Sequence, residues 1–380
     1  MTVYFYALFV HLSLNVYIFL KGIRLLEEKK NWRAVFASFF ILEFALYLTG
    51  LYLHPILPDN IVRFLWLMGS TWMVFLFYMT LLWLIIDLLL YINRRKPIMG
   101  SYLNDNPRTS GAIFFAVTTI SIIAIMYMGS YRFRNPTVTE LEINIDKKAG
   151  ELSSLRIVAV SDIHLGYLIN KQYATLYADL INEQNPDIVL FIGDIIDAEI
   201  SPIIEQNMQD DFLRINAPLG VYSCTGNHEY RYEADYKINW LNDYANIKMI
   251  RDSAVLIDSS FYVVGREDLI IPSRKDLKTI LAEQDVNPSL PIIVLNHTPN
   301  DLDEEMENGA DIALYGHTHD GQVFPFNLLT KLMFEVSYGY KKKGDTNVYV
   351  SSGLGLSGPQ YRIGTKSEIA VLNVTFNNKQ

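Results

Sequence analysis

The stretch Val158-Ala-Val-Ser-Asp162-Ile-His164-Leu-Gly166 runs an apolar segment straight into a carboxylate and an imidazole. Four later blocks repeat the arrangement: Gly193-Asp194-Ile-Ile-Asp197, Gly226-Asn227-His228-Glu229, Asn296-His297-Thr298-Pro299 and Gly316-His317-Thr318-His319. Each follows, or closely follows, a short run of small and β-branched apolar residues, at 188–192, 220–224, 292–295 and 312–315. Runs of this kind read as buried strands, so the polar blocks belong in loops at strand ends. A layered α/β fold is the architecture in which such loops converge on one site.

The residue types fit metal chemistry. Two divalent ions held roughly 3.5–4 Å apart need a bridging ligand, which a carboxylate supplies. Imidazole with carboxylate suits Zn, Fe and Mn, whereas thiolate favours Zn or Cu(I). Cys224 is the only cysteine, which excludes a thiolate cage. One Asp-x-His is more often a satisfied structural pair, but five such blocks at strand ends are hard to explain structurally.

These blocks resemble the calcineurin-like metallophosphoesterases, in particular a membrane-anchored bacterial branch whose last block is Gly-His-Thr-His. The resemblance covers roughly residues 152–374. It implies a two-sheet β-sandwich flanked by helices, with Asp162, His164 and His319 on one metal ion. It places Asn227, His297 and His317 on a second ion, with Asp194 bridging the two. His228 matches the family's outer-sphere histidine, which contacts phosphate and assists the leaving group. The implied cofactors are two divalent metal ions (Mn, Zn or Fe), and the implied reaction is attack on phosphorus by metal-activated hydroxide.

Asp320 departs from that branch, which has Gly after the last His, and the expectation is a side chain facing solvent. The loop Gly353-Leu-Gly355-Leu-Ser-Gly358-Pro-Gln-Tyr-Arg362 offers close backbone approach and a guanidinium fork. The family has a similar loop near its active site, so Gly355 and Arg362 are candidate substrate-binding residues, an ordinary turn being the alternative. Arg266, Glu267 and Asp268 read as a solvated turn.

A chain of 380 residues implies two units. Half the residues are hydrophobic, and mean hydropathy is +0.15. The excess sits at 3–25, 34–53, 64–91 and 112–128, runs long enough, with flanks, for the roughly 20 residues that cross a bilayer. A cleaved signal peptide would begin basic and stop after one short run. The reading is an all-α four-helix transmembrane region at 1–130, a linker with a leading edge strand at 131–150, and an α/β catalytic domain at 151–376. In that domain, 171–183 and 233–244 read as helices, and 247–250, 254–257 and 261–264 as short adjacent strands. Residues 347–351 and 369–376 read as the strands that close the domain.

The loops after the first and third spans carry nine cations (Lys21, Arg24, Lys29, Lys30, Arg33, Arg94, Arg95, Lys96, Arg108), against Arg63 alone after the second. Positive loops stay cytoplasmic, so the catalytic domain is expected outside, in a bacterial envelope. Arg132 and Arg134 argue mildly the other way. Within the spans, Glu43 is the candidate for an interhelical hydrogen bond, and Asp87 lies near a helix end.

Residues 129–380 hold 22 Lys and Arg against 35 Asp and Glu, whereas residues 1–128 hold 10 against 6. An acidic catalytic domain argues against a nucleic-acid partner. The expected partners are the lipid bilayer and a phosphorylated small molecule or lipid-linked substrate. The expected activity is that of a metal-dependent phosphoric ester hydrolase. Alternatives are a lipid-linked pyrophosphatase, a phospholipid phosphodiesterase, or a vestigial scaffold or binding protein, against which the complete ligand set speaks. Finally, 323–334 is an apolar segment followed by Lys341, Lys342 and Lys343. The expectation packs Phe324, Leu328 and Leu332 into the core and puts the lysines on a solvated hairpin. The alternative is a surface that receives an amphiphile.

Overall fold

A computed structural model describes residues 2–26 and 29–377, with side chains from residue 8 onward. The chain forms two compact units, Met1–Ser130 with Gly358–Gln360, and Tyr131–Ser357 with Tyr361–Gln380.

The first unit is built on four long helices, Thr2–Leu25, Lys30–Tyr52, Asp59–Arg95 and Pro107–Arg134. Each is long and apolar enough to cross a membrane. Their polarity is reversed relative to a water-soluble bundle. Trp32, Ile41, Ile56, Ile120 and Tyr127 face outward, while His11, Asn15 and Asn93 are buried. His11 Nε2 lies 3.1 Å from Glu43 Oε2, which gives the expected bond between the first two helices. Asp87 accepts from Lys21 Nζ at 2.7 Å and from the Tyr17 hydroxyl at 2.8 Å. Polar groups in lipid must find partners inside the bundle, and these do.

Among the described residues, the second unit has twelve strands. They are β1 (Thr137–Ile145), β2 (Ser154–Val160), β3 (Ile188–Ile192), β4 (Val221–Cys224), β5 (Lys248–Met249), β6 (Ser253–Ile257), β7 (Phe261–Gly265), β8 (Ile292–Leu295), β9 (Ile312–Tyr315), β10 (Gly339–Lys343), β11 (Thr346–Val350) and β12 (Glu368–Phe376). They form two mixed six-stranded sheets, ordered β1-β12-β2-β3-β4-β5 and β10-β11-β9-β8-β7-β6. β1 is an edge strand, as its alternation implies, paired parallel with β12. Residues 247–264 do not make one row: β5 closes the first sheet, while β6 and β7 pair antiparallel in the second.

Alternation along the central strands explains their unbroken hydrophobicity. Ile157, Ala159, Leu190, Ile192 and Cys224 meet Val263, Ile293, Leu295, Ile312 and Leu314 between the sheets. Val158, Val160, Val189 and Phe191 face outward onto Tyr177, Ile181, Trp240 and Leu241 of the covering helices Lys171–Glu183 and Ala234–Asp243. Both strand faces are covered, so no polar position is tolerated until the strand ends. Truncating one of these side chains, such as Leu190→Ala, costs about 2–5 kcal/mol.

Two expectations fail here. Arg266, Glu267 and Asp268 are buried, not solvated. Arg266 lies 3.0 Å from Glu304, Glu267 accepts from Thr225 and Arg251, and Asp268 accepts from Thr298. Partners distant in sequence make that burial tolerable. The helix Phe326–Met333 likewise does not join the core: none of its residues is buried, and Leu328, Leu329, Leu332 and Met333 are exposed. Its more covered positions include Asn327 and Thr330, and that side leaves the leucines outside.

Candidate metal centre

Every polar block lies just beyond the carboxyl end of a strand: Asp162 and His164 after β2, Asp194 after β3, and Asn227 and His228 after β4. His297 follows β8, and His317 and His319 follow β9. The turns are sharp. Asp162, His164, Asp194, His317 and His319 all have positive φ, between 50° and 68°. Such residues are uncommon outside glycine and cluster where surrounding structure over-determines the backbone. Gly226 shows how closely these turns pack, because a Cβ there would strike the backbone and side chain of Asp194.

Hydrogen bonds account for that over-determination. The carboxylate of Glu229, fully buried, accepts from the backbone N–H groups of Asp194, Ile195 and Gly226 at 2.8 Å, and of Ile196 at 3.1 Å. It ties the turn after β3 to the turn after β4. The backbone N–H of His317 donates to Asp162 Oδ2 at 3.0 Å, joining the turn after β9 to that after β2. Ser161 Oγ also donates to Asp162 Oδ2.

The side chains then converge. Asp162 Oδ1 lies 3.3 Å from His319 Nε2, 3.8 Å from His164 Nε2 and 4.0 Å from His297 Nε2. Asp194 Oδ1 accepts the backbone N–H of His228 at 2.8 Å, which leaves Oδ2 facing the cluster. That oxygen is 3.2 Å from His297 Nε2 and 3.8 Å from His164 Nε2. Asn227 Oδ1 and His317 Nδ1 meet at 3.0 Å, and the His317 ring centroid is 5.2 Å from that of His297.

These atoms fit a cation. His297 Nδ1 lies 2.7 Å from the carbonyl of Ile192 and donates to it. With Nδ1 committed to that carbonyl, Nε2 is the nitrogen that faces the Asp194 carboxylate. Burial opposes charge on this ring, yet Asp194 beside it raises His297 well above its ordinary value. His297 Nε2 is buried and has no hydrogen-bond partner among the described residues. Charge tells the same story. Burial opposes ionisation of Asp162 and Asp194, but the surrounding histidines prevail and hold both well below the usual carboxylate range. Burial also opposes the charge on His164, yet bonding to Asp162 and Asp197 raises it to about 10. The field draws positive charge to these ring nitrogens, and a bound divalent ion would displace the protons. His319 is lowered to about 3, first by burial, with the charge of His164 adding to it, so one proton serves the pair.

His228 is buried within the same cluster, with a ring nitrogen within 4.8 Å of ligand atoms of His164 and Asp194. Its Nδ1 is 2.8 Å from both the Asp197 carbonyl and Asp197 Oδ1, and its Nε2 is 3.9 Å from Asp194 Oδ2. Asp197 also lies 3.2 Å from His164 Nδ1. Asp197 and Glu229 are the residues the sequence reading left without a role. Their signal was their place inside the polar blocks, three after Asp194 and two after Asn227.

Three residues are placed differently from the sequence expectation. Arg362 is fully buried, and its guanidinium donates to the carbonyls of His319 (2.9 Å), Gly353 (2.9 Å) and Gly355 (2.5 Å). Those bonds occupy the fork that was expected to clamp phosphate. Gly355 is buried against the backbone of Asp162 and Ile163, where a Cβ would collide, so its glycine serves packing and not ligand approach. Asp320 is 9% exposed instead of solvent-facing, and burial raises its carboxyl to about 6.

The family model for calcineurin-like phosphoesterases matches residues 155–321, which contain every block above. An uncharacterized metallophosphoesterase of Campylobacter jejuni is 31% identical over 79% of this chain and 78% of its own length. A transmembrane protein with a metallophosphoesterase domain from Danio rerio is 32% identical, over 67% of this chain and 62% of its own. The UDP-2,3-diacylglucosamine pyrophosphatase of Chlamydia trachomatis is 24% identical over 49% of this chain and 70% of its own. Two mixed sheets, clustered ligand atoms at their strand ends, four apolar helices and these relatives agree: the chain belongs to the calcineurin-like metallophosphoesterase family, and is a phosphoester hydrolase and a membrane protein.

Proposed function

We propose that the chain holds two divalent ions and cleaves a phosphate ester or diphosphate outside the cytoplasm. The observation that carries this reading is the convergence of two adjoining sets of ligand atoms, His164 and His297 Nε2 on Asp194 Oδ2, and His164 and His319 Nε2 on Asp162 Oδ1. Asp162, His164 and His319 are assigned to one ion, Asn227, His297 and His317 to the other, and Asp194 to both. Bound there, the pair supplies Lewis-acid neutralisation of phosphoryl charge and lowers the pKa of the attacking water.

The chain's own residues do the rest. His228 donates from Nδ1 to Asp197, which turns Nε2 toward the site. There Nε2 contacts the phosphoryl oxygen or delivers a proton to the leaving oxygen, a contribution of about 10²–10⁴-fold. Asp197 also fixes the His164 ring, as outer carboxylates do for metal-binding histidines. Arg362 acts as a positioning residue through the His319 carbonyl.

Two further elements complete the reading. One relative is, by its name, a pyrophosphatase for a diacylated sugar nucleotide, which favours a lipid-linked diphosphate over a soluble monoester. The nine-to-one cation bias of the loops favours an outward-facing domain, with 1–130 as the membrane region and 151–376 as the catalytic part.

The test is hydrolysis of a panel (monoester, diester, sugar nucleotide, phospholipid, lipid-linked diphosphate) by solubilised full-length protein with Mn, Zn or Fe. Turnover of one class with a bound ion pair is expected, and metal loading without turnover on any class overturns the reading. Cysteines placed at Asn377 and Asn31 decide the side: only the first should react with a membrane-impermeant reagent in intact cells, and the reverse pattern overturns the outward assignment.

A further inference from the structure

The helix Phe326–Met333 has the wrong polarity for a water-soluble domain. Leu328, Leu329, Leu332 and Met333 fall on one stripe at helical spacing, and Leu332 and Met333 are 85% and 65% exposed. Soluble surfaces rarely expose contiguous apolar residues, and such patches mark contact sites. Here the patch is attached to the metal centre at both ends. At its start, Gly321, in the turn that carries His319, packs so closely on Asn327 that a Cβ would strike the helix backbone. At its end, the ring of Phe334 lies 6.3 Å from the ring of His317. The following segment is bonded to the same ligand turn, with Thr318 Oγ1 donating to the Ser337 carbonyl at 2.6 Å.

We infer that this helix face seats in the interfacial layer of the bilayer and holds the mouth of the metal centre against lipid headgroups. The occupant follows from the chain itself. The helix that ends at Arg134 is the fourth apolar span, and only Asn135 and Pro136 separate it from β1. So short a tether keeps the catalytic unit at a very high effective concentration near lipid. A short amphipathic helix with leucines on one face is the element that lies in such an interface. Lys331 on the helix and Lys342 on β10 are exposed cations of the sign that anionic headgroups attract, while Lys341 is paired with Glu335 at 2.8 Å. The inference rests on the phosphoesterase reading for its consequence: the phosphate presented to the metals belongs to a molecule anchored in the same leaflet.

The test uses the full chain in vesicles of phosphatidylcholine and phosphatidylglycerol with brominated acyl chains. A bimane label is placed at Leu332→Cys and, as a control, at the exposed Lys278→Cys. The native Cys224 is fully buried and stays unlabelled. The label at 332 should be quenched by the bromines and shielded from aqueous iodide, with the opposite pattern at 278. Iodide quenching at 332, or quenching by neither agent because a second copy covers the face, overturns the inference. A Leu328→Ser/Leu332→Ser variant should lose about tenfold in rate on a vesicle-borne phospholipid and keep its rate on a soluble aryl phosphate. Equal loss on both, with a lower melting temperature, also overturns it. Failure of the phosphoesterase reading would show as no hydrolysis of any class in the substrate panel, and quenching would still decide the docking.

Discussion

The two units solve opposite solvent problems with similar residues. In the four-helix unit, aromatic and aliphatic side chains point outward and the polar ones are gathered inside, as in the His11–Glu43 pair. In the sandwich unit, aliphatic side chains fill the space between the sheets, and its polar cluster is buried at one end of them. The lesson is that burial alone does not report function. Both regions leave a buried ring nitrogen without a hydrogen-bond partner, His11 Nδ1 in the helices and His297 Nε2 at the strand ends. What separates them is that the strand-end cluster gathers several imidazole and carboxylate ligand atoms within 4.8 Å of one another, whereas His11 and Glu43 form a lone pair. The helix Phe326–Met333 is the segment of the sandwich unit that follows the polarity of the other unit.

The sharpest way to break this contrast is at Asp194, the carboxylate proposed to bridge. Asp194→Asn should take turnover to background and deplete both ions, because that carboxylate is assigned to both and an amide bridges poorly. Retention of either ion at full occupancy would show that Asp194 belongs to one cluster. The next effect is smaller. His228→Ala should keep both ions and lose about 10²–10⁴ in rate. Loss of metal in that variant would make His228 a ligand.

The Glu229 clasp distinguishes a buried carboxylate that holds backbone from one that holds metal. In Glu229→Gln one acceptor oxygen becomes a donor facing N–H groups, so two of the four bonds are lost and replaced by repulsion. We expect a loss of about 2–4 kcal/mol in unfolding free energy, with metal affinity weakened about 10–100-fold through the displaced turns. An unchanged melting temperature with lost metal would instead put Glu229 on the ions.

Much of this was legible in the sequence, and for a local reason. Strand, turn and polar block occupy consecutive residues, so the sheets and the position of the blocks at strand ends follow from short patterns. What stayed hidden depends on where a side chain's partners lie. Arg362 looks like a phosphate clamp until its donors are found on the carbonyls of His319, Gly353 and Gly355. Arg266 looks solvated because Glu304 lies 38 positions away in the sequence. Periodicity finds the apolar stripe of 328–333 correctly, but cannot say that Asn327 and Thr330 take the more covered side.

Cys224 sharpens the comparison from the sandwich side. Burial, aided by the charges of Glu229 and Asp268, raises its thiol well above the usual range. The folded protein should therefore resist iodoacetamide at pH 8 and react only once denatured. A thiol harder to ionise when folded costs nothing below its unfolded pKa of about 8.5. Above that, the unfolded chain loses a proton that the folded chain keeps, and stability falls by at most about 1.4 kcal/mol per pH unit. Modification of the folded protein at pH 8 would show that the space between the sheets opens.

The smallest effect belongs to the membrane side. His11 and Glu43 are held 3.1 Å apart on different helices, with the His11 ring stacked on Tyr47 at 3.8 Å between centroids. If the pair serves only to join helices, its loss should be mild, because unfolded segments in lipid also find partners for their polar groups. Measured couplings between polar groups in such bundles average about 0.6 kcal/mol. A double-mutant cycle of His11→Phe and Glu43→Gln, followed by unfolding in mixed micelles, should return a coupling near that value. Turnover on every substrate should be unchanged, since neither residue belongs to the catalytic cluster. A coupling above about 2 kcal/mol would exceed what interhelical bonds supply. Loss of turnover at unchanged stability would be more telling still, because it would make the intramembrane pair part of the reaction and end the division of labour between the two units.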